Sequence, residues 1–90
     1  MHHLHMRVLG VVQGVGFRYY VVREARALAL SGAVRNLPDG SVEIDTEGDH
    51  ATLERLVETV RRGPPASHVR AVETRWTEGP PRFDGFDIDP

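Results

Sequence analysis

From Met6 to Val12 the side chains are almost continuously apolar and largely β-branched, interrupted only by Arg7 and Gly10. Such a run predicts a central strand, and Gln13-Gly14-Val15-Gly16 ends it. Phe17, Val21, Ala25 and Leu28 then recur at helical spacing while Arg23, Glu24 and Arg26 fall elsewhere, so a helix begins at Phe17. Its expected stop is Ser31-Gly32, where glycine can take a positive φ. Two short segments, Ala33 to Leu37 and Ser41 to Gly48, flank Pro38-Asp39-Gly40, in which proline presets the turn and glycine permits the left-handed step of a hairpin.

In the second of these, Val42, Ile44 and Thr46 alternate with Glu43, Asp45 and Glu47, the mark of a sheet with one covered and one solvated face. Asp49 can cap a second helix carrying the stripe Leu53, Leu56, Val57 and Val60, which Gly63-Pro64-Pro65 ends. Val69 to Trp76 is expected as a strand with a bulge or two-sided burial, because Val69 and Ala71 alternate onto one face but Val72 and Trp76 onto the other. After Gly79-Pro80-Pro81, the residues Phe83, Phe86 and Ile88 suggest a short closing edge strand. The order is βαββαβ plus that terminal strand. Two amphipathic helices after alternate strands pack most simply on one face of a mainly antiparallel sheet, an α+β two-layer sandwich of ferredoxin-like type.

Composition narrows the chemistry. The chain has 90 residues, enough for one core, and 13 acidic against 11 basic side chains give a formal charge of −2. That balance offers no field for a nucleic acid or an anionic membrane, so neither is an expected partner. Every basic residue is arginine, which excludes Schiff-base and lysine-nucleophile chemistry. Cysteine is absent, which removes thiolate catalysis, disulfides and thiolate metal sites and fits a cytoplasmic protein. No apolar run is long enough to span a bilayer. His2, His3 and His5 precede the first patterned strand, so residues 1–5 are expected to be a disordered or tag-like terminus and 6–90 a single domain. No metal and no cofactor is expected. Arg35 alternates with Asn36 onto the opposite sheet face and is expected to be solvated, while His50 and His68 sit at element boundaries.

The chemistry-bearing segment is Gly10-Val11-Val12-Gln13-Gly14-Val15-Gly16-Phe17-Arg18. A strand passing through two glycines into a helix can converge backbone N–H groups on one anion, and Arg18 adds a planar, permanently charged fork. No Gly-Lys-Ser/Thr follows, and Tyr19 stands where a dinucleotide fingerprint would have its third glycine, so the segment is neither nucleotide loop. On the residues alone a plain strand-to-helix turn remains as good a reading, and Asn36 can be simply an asparagine near a hairpin.

Together, Gly10-x-Val12-Gln13-Gly14-Val15-Gly16-Phe17-Arg18, Gly32-x-Val34-Arg35-Asn36-x-x-x-Gly40-x-Val42 and Gly48 closely resemble the two-part signature of the acylphosphatases. The resemblance runs on through Gly63-Pro64-Pro65-Ala66 to Phe86-x-Ile88. One departure is Ala33, where that family usually carries an aromatic residue. The resemblance implies hydrolysis of a small-molecule acyl phosphate to a carboxylate and inorganic phosphate, without a metal. Arg18 and the amides of Gln13, Gly14, Val15, Gly16 and Phe17 would hold the phosphoryl oxygens, and Asn36 would position the attacking water. Inorganic phosphate is then both product and competitive inhibitor, and a monomer is expected. The alternative is a catalytically inactive phosphate- or carbamoyl-phosphate-binding regulatory module, since acylphosphatase-like domains also occur within larger maturation proteins. An RNA-binding sandwich of the same topology would need stacking aromatics on its central strands, and Met6 to Val12 and Ser41 to Gly48 contain none.

Overall fold

A computed structural model describes all 90 residues. The elements are β1 (His2–Val11), α1 (Phe17–Ala27), β2 (Ser31–Asn36), β3 (Val42–Gly48), α2 (His50–Arg62), β4 (His68–Glu78) and β5 (Phe86–Ile88). The sheet order is β4-β1-β3-β2-β5, antiparallel throughout except for the parallel pair β2 and β5. Alternate residues Leu4, Met6 and Val8 of β1, Val34 of β2 and Val42 and Ile44 of β3 bury one face against Phe17, Val21 and Ala25 of α1 and Leu53, Leu56 and Val60 of α2. Tyr20 Oη donates to the Thr59 carbonyl at 2.7 Å and joins the two helices. This is the expected two-layer α+β sandwich, with the closing strand in place.

The terminus differs from expectation. Residues 2–5 are not a frayed tail but the first half of β1, paired with β3 on one side and β4 on the other, His2 lying opposite both Gly48 and Glu78. Two-sided pairing satisfies the backbone, and alternation buries Leu4, which is 1% exposed. His3 is buried too, because the segment 79–85 must cross from the β4 edge to the β5 edge and does so over the other sheet face. There Pro80 O lies 3.0 Å from His3 Nε2, and Glu47 accepts the Arg82 and Phe83 amides at 2.8 and 3.2 Å. The acidic face of β3 is therefore not simply solvated: Glu47 is buried, and half-buried Glu43 accepts from Arg35 Nε at 2.6 Å. Arg35 itself is exposed, as expected.

Helix α1 also ends differently. Ala29, with φ of 57°, takes the left-handed step, and Leu30 N–H reaches back to the Ala25 carbonyl at 3.0 Å while Ala29 N–H reaches Arg26 at 3.0 Å. This is a Schellman closure built on alanine, with buried Leu30 as its apolar seal. Gly32 belongs to β2 instead, where a Cβ would meet the Asp45 carbonyl at 2.2 Å and the Phe86 ring at 2.8 Å. The expected irregularity opposite Val69 and Ala71 is present: Leu9 faces Ala71 but Gly10 faces Val69, which leaves Arg70 as the extra residue.

Candidate active site

The strand-to-helix loop is pinned at both ends by the core. Val12 before it and Phe17 after it are each 1% exposed, and burying side chains of this size contributes about 1.5–3 kcal/mol apiece. Between these anchors Gln13 turns its side chain onto the β2–β3 hairpin, with Nε2 donating to the Leu37 and Ser41 carbonyls, both at 2.8 Å. These bonds hold the loop against the end of β2, where Asn36 sits. The hairpin is fixed in turn. Asp39 accepts from Ser41 N–H at 2.9 Å and from its hydroxyl, and it pairs with Arg7 on β1. The Ser41 bonds first, then Arg7, hold the Asp39 carboxyl well below the usual carboxylate range.

Gly14 and Gly16 have φ of 74° and 76°, and a Cβ on either would point into open space. Backbone conformation, not close packing, therefore requires glycine at both. Gly16 is the N-cap of α1 in left-handed geometry, and it supplies no side-chain acceptor. The first turn of the helix contains no acid either. By contrast, α2 is capped by Asp49, which accepts the Thr52 N–H at 3.0 Å. The first-turn donors of α1 and its positive dipole end are thus left for something outside the chain.

Arg18 lies in this open first turn. It is half-buried and has neither an ion pair nor a hydrogen bond within the molecule. Arg7, the other half-buried arginine, is bound to both Asp39 and Glu73. Asn36 ends β2 on the same face as Val34, the helix-covered face, opposite Val42 in the ladder. Its Oδ1 is buried and has no hydrogen-bond partner. The loop, Arg18 and Asn36 are thus gathered at one end of the molecule with donors, a charge and an acceptor unspent.

The acylphosphatase family model matches residues 4–88. The chain belongs to the acylphosphatase family. An acylphosphatase of Thermococcus kodakarensis is 49% identical over 84 residues, which are 93% of this chain and 91% of that protein. The crystal structure of acylphosphatase from Bacillus subtilis superimposes with a TM-score of 0.97 at 39% identity, covering 100% of both chains. The fold also matches part of full-length HypF in its phosphate- and nucleotide-bound form, with a TM-score of 0.84 and 26% identity over 99% of this chain but 12% of HypF. Within the family framework, Arg18 has no partner within the molecule and Asn36 Oδ1 accepts no hydrogen bond, while Gly14 and Gly16 hold left-handed backbone conformations. Ala33, the departure from the family pattern, lies on the other sheet face from Asn36 and borders none of these groups in the ladder.

The sequence points to Gln13 only as a backbone donor of the loop and gives no sign of its side chain's part. Its amide is a strut to the hairpin, a role visible only once the loop and Leu37 are seen side by side.

Proposed function

We propose that this chain is a metal-independent acylphosphatase in which Arg18 and the loop amides of Gln13 to Phe17 bind the phosphoryl group and Asn36 positions the attacking water. The observation that carries the reading is Arg18: a half-buried arginine with no internal partner, set in an uncapped helix turn that adds backbone donors of its own. A phosphoryl group answers both, because the guanidinium fork and the amides can share its three peripheral oxygens. Phosphoryl transfer through a loose transition state asks the protein for positioning and charge stabilisation rather than covalent chemistry.

Water then attacks phosphorus from the side of Asn36, whose free Oδ1 accepts one of its O–H bonds. The new P–O bond forms as the P–O bond to the acyl group breaks. The carboxylate departs with the electron pair and needs no general acid, and the water's proton passes to a phosphoryl oxygen. No histidine or carboxylate is required. The substrate is a small-molecule acyl phosphate, and inorganic phosphate, which fits the same cradle, is a competitive inhibitor. We place the protein in the cytoplasm as a monomer. The cysteine-free composition supports the compartment, and no helix is long and apolar enough to cross a membrane.

The test is hydrolysis of an aromatic acyl phosphate by purified protein in chelator, with phosphate as inhibitor. Turnover that phosphate competes with is the expected result. Phosphate binding without turnover would favour the inactive binding module instead.

A further inference from the structure

We infer that the sheet face opposite Asn36 carries a second site, a three-ligand site for a borderline divalent ion such as Zn²⁺, formed by His5 of β1 with Glu43 and Asp45 of β3. All three side chains are half-buried and offer ligand atoms within 4.8 Å of one another. They stand on the two central strands, with His5 directly opposite Asp45 in the ladder, so backbone pairing and not a loop sets their spacing. His5 Nε2 and Glu43 Oε2 are 3.0 Å apart. Two ligands on a tetrahedral zinc at ordinary bond lengths lie about 3.4 Å apart, so the pair opens by only a few tenths of an ångström to admit an ion.

The surroundings orient this set. Arg35 Nε holds Glu43 Oε1 at 2.6 Å and leaves Oε2 turned to His5, as an outer hydrogen bond orients a metal-binding carboxylate. Asp45 has no hydrogen-bond or ion-pair partner, although it is half-buried. Beside the three lies a polar hollow of about 250 Å³ lined by Ala33, Arg35, Glu43, Asp45 and Asp89. The small side chain of Ala33 leaves this hollow open. Its three carboxylates against one guanidinium leave two net negative charges lining the hollow. Arg7 and Arg75 lie on the other side of His5, together with Glu73. One imidazole nitrogen with two carboxylates suits zinc or cobalt rather than magnesium or calcium, which favour all-oxygen sets. The ion takes the place of the hydrogen bond between Nε2 and Oε2, and the imidazole binds it as the neutral ring with its N–H on Nδ1.

The test uses the full chain, stripped with chelator and dialysed, titrated with ZnCl₂ by calorimetry and with CoCl₂ by visible absorption. One ion per chain is expected, with the intense d–d bands of tetrahedral cobalt, perturbation of the His5, Glu43 and Asp45 amides in NMR, and no response to Mg²⁺. His5→Gln and Asp45→Asn should each weaken binding by at least about tenfold, while His2→Gln and His68→Gln leave it unchanged. Asp45→Asn is isosteric and breaks no internal bond, and circular dichroism checks its fold. Absence of binding up to about 1 mM zinc would overturn the assignment, as would binding that survives both substitutions.

Discussion

Replacing Asn36 by leucine should make the protein more stable and lower its turnover at least a hundredfold, to about 10²–10³-fold below the parent. Oδ1 is buried without a partner, and leaving a buried acceptor unsatisfied costs about 1–3 kcal/mol. The residue as a whole is half-buried, so part of the amide keeps its hydration and the lower end applies. Leucine has a similar length, faces the same apolar surface as Val34, and removes the acceptor. A gain of about 1 kcal/mol in a domain of this size raises the melting temperature by about 4–8 °C. The same change deletes the group proposed to orient water, and losing one such preorganised contact lowers kcat by about 10²–10³-fold. Phosphate affinity, which on the proposed reading rests on Arg18 and the loop, should move by less than about threefold. Thermal unfolding by circular dichroism, hydrolysis of an aromatic acyl phosphate, and phosphate calorimetry read the three quantities. A lower melting temperature would mean that Oδ1 is satisfied in the resting fold. Turnover within about tenfold of the parent would remove Asn36 from the reaction.

Arg18→Ala should lower kcat/KM by about 10³–10⁵-fold and abolish phosphate binding, yet leave the melting temperature unchanged because Arg18 bonds to nothing within the fold. Arg18→Lys should rescue little, since a point charge does not reproduce the two-pronged contact. Gly16→Ala should cost about 1–2 kcal/mol of stability from the positive φ alone, as its Cβ meets no neighbour, and circular dichroism should show the helices intact. Acid should weaken the hairpin through Asp39. Its carboxyl is held below the ordinary value of about 3.9, so its contribution is present above that value and lost as pH falls below it toward the folded-state value. The melting temperatures of parent and Asp39→Asn should therefore converge between about pH 4 and pH 2; a constant gap would contradict this.

The helices, the hairpin and their order follow from periodicity because each signal is local: Leu53, Leu56, Val57 and Val60 make a stripe in any context. What periodicity could not carry was set by distant partners. His3 becomes buried only because the segment 79–85 crosses it, and Glu47 becomes a buried acceptor for the same reason. Ala29 takes the left-handed step because Leu30 has a buried place to fill, and no residue type announces that. The site was legible in another way. Gly14 and Gly16 declare a backbone conformation, and Arg18 and Asn36 a chemistry. That Arg18 and Asn36 are unpaired is an absence, and an absence of partners becomes visible only when every neighbour has been placed.

Three unspent groups, the uncapped turn of α1, the lone Arg18 and the orphaned Asn36 oxygen, lie at one end of the sheet, while the start of α2 and the half-buried Arg7 are satisfied. Scattered, they would be isolated defects. Gathered, the first two share one remedy: an anion that the amides and guanidinium both contact. Inorganic phosphate should then stabilise the folded chain by mass action, by about 2.7 kcal/mol at a hundredfold excess over its Kd, or roughly 10–20 °C in melting temperature. The proposed roles leave Asn36 out of anion binding, so the shift should persist in Asn36→Leu and vanish in Arg18→Ala. Sulfate should reproduce much of it and chloride at equal ionic strength very little if, as proposed, the cradle binds tetrahedral oxygens and not charge alone. A shift that chloride matches, or that survives loss of Arg18, would mean that general screening stabilises the fold and that the gathering of these groups has no bearing on phosphate.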